Sequence, residues 1–210
     1  MIEPVTDLDT VHVRSNLERI REQAGPEIEV LAATKYIRAE DMGALAEAGV
    51  ELVGENRLQD LEEKRERWGD RFTWDFIGNL QSRKVKRILP LVRLIHSVAT
   101  DSVLEQLGRH GGADTEVLVE VNLSGEEGKG GIEPANLDEF VERCPVTVSG
   151  LMTMPPFTED PEGSRPYFSR LAGLASERGL ERLSMGTSQD WQVAVEEGAT
   201  ILRLGSLLWS

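Results

Sequence analysis

Cysteine occurs once, at Cys144, so the chain cannot close a disulfide within itself. That scarcity fits a reducing compartment, and a cytoplasmic location is the expectation. Histidine is nearly as rare, with three residues at His12, His96 and His110, and no His/Cys spacing suggests a metal site. No apolar run approaches the roughly 18 residues of a membrane span. The opening MIEPVTDLD lacks the basic and then apolar order of a secretory signal. Cations are outnumbered, 23 Lys and Arg against 37 Asp and Glu, for a net charge of −14. This balance argues against a nucleic-acid partner, which needs clustered cations, and it favours solubility. An anionic ligand must then be held by local geometry and not by the overall field. GKGG at Gly128–Gly131 lacks the spacing of a phosphate-binding P-loop. No Pro-, Gly- or Ser-rich linker and no residue-level repeat divides the chain, so residues 1–210 read as one domain.

What is present is alternation. Short apolar runs occur at Val30–Ala33, Leu52–Gly54, Phe76–Gly78, Leu94–Val98, Val117–Leu123, Val146–Met154, Leu183–Gly186 and Ile201–Leu208. Most are continuous in apolar residues, as expected of parallel strands covered on both sides. Helical patterns separate them at Ala39–Ala48, Leu58–Trp68, Gln81–Leu89, Ser102–Arg109, Leu137–Glu142, Arg165–Arg178 and Gln189–Glu196. A further helix is expected over Thr6–Ala24, capped by Thr6 or Asp7 and ended by Gly25-Pro26. Eight strands with intervening helices predict an α/β fold, a single (β/α)8 TIM-type barrel with an extra N-terminal helix. An open doubly wound sheet is the competing architecture.

Barrel chemistry sits at the carboxyl ends of the strands. Lys35 directly follows the first run, VLAAT, where burial would lower its pKa and make it nucleophilic toward an aldehyde. A solvated lysine at a strand end is the plain alternative. LSMGTSQD passes from the seventh strand through Gly186 into a helix start, with Ser188 as a good N-cap residue. Free backbone N–H groups and hydroxyls there suit a phosphate. The eighth strand adds Arg203, Gly205 and Ser206. Asn56, in Gly54-Glu55-Asn56, offers a hydrogen bond to a ring substituent. His96 reads as a satisfied core histidine, and His12 and His110 as surface residues.

These segments carry a resemblance. ATK at Ala33–Lys35, GENRLQD at Gly54–Asp60, FIGNLQSRK at Phe76–Lys84, GLMTM at Gly150–Met154, LSMGTSQD at Leu183–Asp190 and LRLGS at Leu202–Ser206 resemble the pyridoxal phosphate homeostasis proteins. Those proteins in turn resemble the N-terminal barrel of alanine racemase. The resemblance runs nearly end to end and implies pyridoxal 5′-phosphate (PLP) as cofactor, on Lys35. The implied site comprises Lys35, Asn56, Ser184, Thr187, Ser188, Arg203, Gly205 and Ser206. Thr187-Ser188 and Gly205-Ser206 would grip the phosphate, Asn56 would stand at the ring side, and Arg203 would face the pyridine nitrogen and keep it unprotonated. The family usually has His at the position of Asp75 and Asn at that of Arg83, and both positions are expected at the mouth after the third strand. The family's last strand usually continues into Phe-Gly, where this chain has Trp209-Ser210.

The alanine racemase-like enzymes add a β-rich domain whose tyrosine serves as an acid/base. This sequence stops with strand eight, and its tyrosines are Tyr36 and Tyr167. The implied function is therefore a PLP carrier without strong turnover. It would buffer or deliver the cofactor, possible recipients being apo-forms of PLP enzymes, and the chain is expected to be monomeric. A slow racemase-like enzyme and a Schiff-base aldolase acting on a phosphosugar through Lys35 stand as alternatives.

Overall fold

The computed structural model describes residues 8–126 and 128–210. Eight parallel strands close in sequence order into one barrel: β1 Glu29–Ala33, β2 Leu52–Glu55, β3 Thr73–Phe76, β4 Leu94–Val98, β5 Glu116–Glu120, β6 Thr147–Met152, β7 Arg182–Ser184 and β8 Ile201–Leu204. Pairing of β8 with β1, Leu204 opposite Ala32, seals it, and the open doubly wound sheet is thereby excluded. Around it run α1 Thr10–Ala24, α2 Met42–Ala48, α3 Leu58–Trp68, α4 Val85–Ile88, α5 Asp101–His110, α6 Leu137–Glu142, α7 Arg165–Ser176 and α8 Trp191–Glu196, and α9 Ser206–Trp209 follows the last strand.

Successive strand residues point to opposite faces, so each strand feeds two cores. Outward residues such as Val53, Ile95, Val119 and Leu202 pack beneath the helices. Inward, Leu31, Leu52, Leu94, Leu118, Met152 and Ile201 form a separate apolar belt. They come from six strands. The other two, β3 and β7, present Asp75 and Ser184 to the interior instead, both fully buried.

That polar choice explains the main boundary error. The third strand was expected from Phe76, yet it begins at Thr73, because TWDF carries a charge where an apolar residue is normal. Asp75 is therefore within a strand and not at the mouth, while Arg83 is on the surface, bonding Gln81. The eighth strand was expected to run to Leu208 but stops at Leu204. Its continuing apolar residues belong to α9, which packs on α1; there His12 Nε2 lies 2.9 Å from the Ser210 carbonyl, and Asn16 Nδ2 donates to that of Leu208.

The proposed caps Thr6 and Asp7 of the first helix lie outside the described residues. The cap observed is Asp9, whose Oδ1 accepts from the Val11 and His12 N–H groups at 2.9 and 3.2 Å. Asp9→Ala is expected to cost about 1 kcal/mol in chemical denaturation, as N-cap losses do.

Candidate active site at the carboxyl end of the barrel

Two neighbouring strand ends define the site. Lys35 lies in the turn that follows β1, and Gly205-Ser206 follows β8, its partner in the sheet. A Cβ placed on Gly205 would stand 3.8 Å from the Ala33 carbonyl, so the two strand ends are in near contact. Lys35 is exposed, contrary to the burial expected of it, with its Nζ 4.8 Å from the centre of the Tyr36 ring. It lines a cavity of about 800 Å³ together with Asn56, Arg57, Lys64 and Asn79. Asn56 Oδ1 is buried and has no partner among the described residues. Gly78 closes the wall behind it, where any Cβ would fall 2.0 Å from the Asn56 carbonyl oxygen.

The turn after β7 is built around Asp190, which is 3% exposed. Its Oδ1 accepts from the Thr187 N–H at 2.7 Å and the Thr187 hydroxyl at 3.0 Å, and its Oδ2 accepts from the Ser164 hydroxyl at 2.8 Å. Gly186, at φ 90°, supplies the left-handed backbone that the turn needs. Ser188 was expected to cap the following helix, but Asp190 occupies that position. The Ser188 hydroxyl oxygen instead accepts from the N–H groups of Gly205 and Leu207, at 3.2 and 3.3 Å, tying the β7 turn to the β8 turn. Among the described residues, no protein acceptor takes the backbone N–H of Ser188 or of Ser206. These free donors are what an anionic oxygen requires, whereas the Thr187 N–H is already committed to Asp190.

Beneath the mouth lies a buried polar chain. Arg203, 6% exposed, donates from Nη1 to Ser184 Oγ at 2.6 Å and from Nη2 to the Thr153 carbonyl at 3.0 Å. Ser184 Oγ lies 2.8 Å from His96 Nδ1, and His96 Nε2 lies 3.1 Å from Asp75 Oδ2. Arg93 closes the other end, donating to both oxygens of Asp75 and also pairing with Glu29. Burial pulls the His96 pKa down despite the Asp75 carboxylate. Burial alone would push Asp75 up, but hydrogen bonds from His96 and Arg93 outweigh it and hold that carboxyl below its ordinary value. Burial also lowers Arg203 to about 10, against the pull of Glu120 and Asp190, so it stays cationic at neutral pH. His96 is thus the satisfied core histidine expected of it, while His12 and His110 are exposed.

The sign of the pH response follows. With its pKa lowered, His96 remains neutral in the fold at pH values where the unfolded chain, near 6.5, takes up a proton. Stability is therefore expected to fall as pH drops below about 6.5, by at most ~1.4 kcal/mol per pH unit from this group. Asp75 adds a further loss only below its unfolded value of 3.8. Urea midpoints measured between pH 8 and 5 check the first limb, and a flat or rising profile would contradict it.

The sequence profile described as alanine racemase, N-terminal domain, matches residues 8–210. A pyridoxal phosphate homeostasis protein of Aquifex aeolicus is 42% identical over 86% of this chain and 85% of its own. The one from Pseudomonas aeruginosa is 34% identical over 86% and 83%. The chain belongs to the pyridoxal phosphate homeostasis family. PipY of Synechococcus elongatus, solved with and without PLP, superposes with TM-scores of 0.83 and 0.84 at 29% identity, covering 94% of this chain and all of PipY. Alanine racemase of Corynebacterium glutamicum shares the fold at 14% identity and a TM-score of 0.76, and this chain spans 60% of it.

For this family member the structure places Lys35 and Asn56 in the lining of one cavity, while Thr187, Ser188, Gly205 and Ser206 lie outside that lining in the turns after β7 and β8, which meet the end of β1 at Gly205. Ser184 and Arg203 lie below them in the barrel. Sequence reading missed three participants. Glu55 and Lys64 form a buried ion pair directly under the Lys35 turn, where Lys64 Nζ donates to the Thr34 carbonyl at 2.8 Å. Glu120, at the end of β5, is pushed up by burial against the pull of Arg203 and Lys129. The signal for Lys64 was its position on the inner face of α3, six residues after Leu58 and three after Leu61, both buried. Among the described residues no His/Cys/Asp/Glu group is arranged to hold a metal, and no helix is long and apolar enough to cross a membrane.

Proposed function

We propose that this chain binds PLP at the carboxyl mouth of the barrel, covalently through Lys35, and holds it for delivery without appreciable turnover of amino acids. The observation that carries the reading is the adjacency of an amine and an anion cradle on paired strands: Lys35 after β1, and Ser206 with Ser188 after β8 and β7. PLP carries an aldehyde and a phosphate on neighbouring ring carbons, and these are the two functions such a pair can take. The unpartnered Asn56 oxygen and the free N–H groups of Ser188 and Ser206 fit that ligand's polar edge. PipY, similar over nearly all its length, has been solved with PLP bound.

Bound there, the cofactor supplies an electrophilic aldehyde carbon and an electron sink. Lys35 is the amine that would form a Schiff base. Ser188 and Ser206 would bind the phosphate, with Thr187 and Gly205 shaping the turn, and Asn56 would orient the ring side. Arg203, fixed by Ser184 and positively charged, would face the ring nitrogen and limit the sink. The named relatives are homeostasis proteins, which favours a carrier over an enzyme. The reading extends to a monomeric, cytoplasmic protein that hands PLP to apo-enzymes.

A visible spectrum of the purified protein after incubation with PLP tests the reading, followed by an alanine racemisation assay. A yellow band with no sustained racemisation is expected. Steady racemisation that disappears in Lys35→Ala would overturn the carrier reading. A colourless, unmodified protein would overturn the cofactor itself and bring forward the phosphosugar aldolase.

A further inference from the structure

We propose that Asp75, His96 and Ser184 act as a positioning chain that fixes the Arg203 guanidinium toward the bound cofactor, keeping the pyridine nitrogen an unprotonated hydrogen-bond acceptor. The inference rests on the PLP reading above and assigns roles to residues that make no contact with the mouth.

The hydrogen-bond directions are determined by the chemistry of the groups. Asp75 is acceptor-only when ionised, and Arg93 already donates to both of its oxygens. His96 must therefore give its one ring proton from Nε2 to Asp75, which leaves Nδ1 as an acceptor. Among the described residues the hydroxyl at Nδ1 is that of Ser184, 2.8 Å away, so Ser184 donates to His96. With its proton spent there, Ser184 Oγ accepts from Arg203 Nη1. Every donor in the series Arg203, Ser184, His96 points toward Asp75. Such a one-way chain polarises cooperatively, and it carries the attraction of the Asp75 charge to Arg203 through hydrogen bonds between buried groups.

The surroundings make that arrangement specific. Asp75, His96 and Ser184 are fully buried, and β3 and β7 place polar residues where other strands give the inner belt Leu, Met or Ile. Burying a carboxylate, an imidazole and a hydroxyl costs stability unless each is partnered, and here each is. The Thr153 carbonyl and Met154 Sδ hold Nη2 from a second side, at 3.0 and 2.9 Å. A guanidinium has more N–H groups than these contacts use, and those left over would meet the cofactor. A cation clamped as a donor opposes protonation of a nitrogen placed against it. The chain thus favours storage of the cofactor over its use in carbanion chemistry.

The test loads wild type, Ser184→Ala and Asp75→Asn with PLP labelled with 15N in the ring and reads the nitrogen by NMR at pH 7. PLP release to a trapping enzyme is followed in parallel. Val119→Ala, in the outer core, controls for loss of stability alone. The wild-type nitrogen should give the signal of an unprotonated pyridine. Both network variants should move it toward pyridinium and release PLP about tenfold faster, the factor expected from ~1.4 kcal/mol of lost interaction. The control should leave the nitrogen signal unchanged. A protonated wild-type nitrogen, network variants with the wild-type signal, or an equal change in Val119→Ala would each overturn the positioning role. Wild type that takes up no PLP at all would instead refute the cofactor reading. Ser184→Ala removes one oxygen atom, so it provides a folded variant even where Asp75→Asn is destabilised.

Discussion

Lys64→Met is expected to destabilise the protein by about 3–5 kcal/mol, the range for a buried ion pair that loses one partner. Lys64 is 3% exposed and Glu55 fully buried. Glu55 Oε1 receives both the Lys64 ammonium and the Thr34 hydroxyl, while Oε2 has no partner among the described residues. Burial already pushes the Glu55 pKa up, against the attraction of Lys64. Without the ammonium, the carboxyl would protonate on folding, which caps the loss but does not remove it. Adding Glu55→Gln to Lys64→Met should recover much of the stability, because both charges are then gone. For a chain of this size the single substitution corresponds to a fall in Tm of roughly 6–20 °C. A loss below about 1 kcal/mol would show that the pair is not desolvated as described. The same substitution removes one of two bonds to the Thr34 carbonyl, leaving that from the Ile37 N–H at 2.8 Å, and so loosens the residue before Lys35.

Lys35→Ala should behave in the opposite way, with an absolute effect on function and almost none on the fold. The Lys35 side chain is exposed and makes no hydrogen bond among the described residues; its contact is with the Tyr36 ring. Its removal should therefore alter stability by no more than ~0.5 kcal/mol, as for other surface positions. The borohydride-reducible aldimine band formed with PLP should vanish completely, because among the described residues no other amine combines a place on that cavity with freedom to react. Lys64, the other lysine on that cavity, is held by Glu55 and the Thr34 carbonyl. Phosphate contacts at Ser188 and Ser206 should persist, so the variant should still bind PLP reversibly and lose it on gel filtration. A retained band would move the covalent site elsewhere. A large fall in Tm would contradict the exposed placement of Lys35.

The sequence was legible wherever one force decided the pattern. Continuous apolar runs marked strands buried on both faces, and Leu94–Val98 was located to the residue. It was misleading where a strand or a helix broke its own rule for the sake of the interior. TWDF hid its strand because Asp75 spends its charge on Arg93 and His96, partners 18 and 21 residues away. Leu207-Leu208, after Gly205-Ser206, looked like more strand, but these residues belong to α9, which packs on α1 at the far end of the chain. The places of Lys35, Asn56 and the turns after β7 and β8 at the carboxyl ends of their strands were readable from order and residue type. The Glu55–Lys64 pair and the Ser184–His96 link were not, since each joins segments whose proximity only barrel closure creates. Ser188 shows the subtler failure. Its residue type announced a cap, and it does accept backbone N–H bonds, but from the turn after the next strand.

The most direct test of the whole account is borohydride reduction of the PLP-loaded protein, followed by peptide mass mapping. The account predicts that the yellow band bleaches and that the reduced pyridoxyl group sits on the peptide containing Lys35. A pyridoxyl group found on another lysine, or no covalent adduct in a protein that has nevertheless bound PLP, would contradict it.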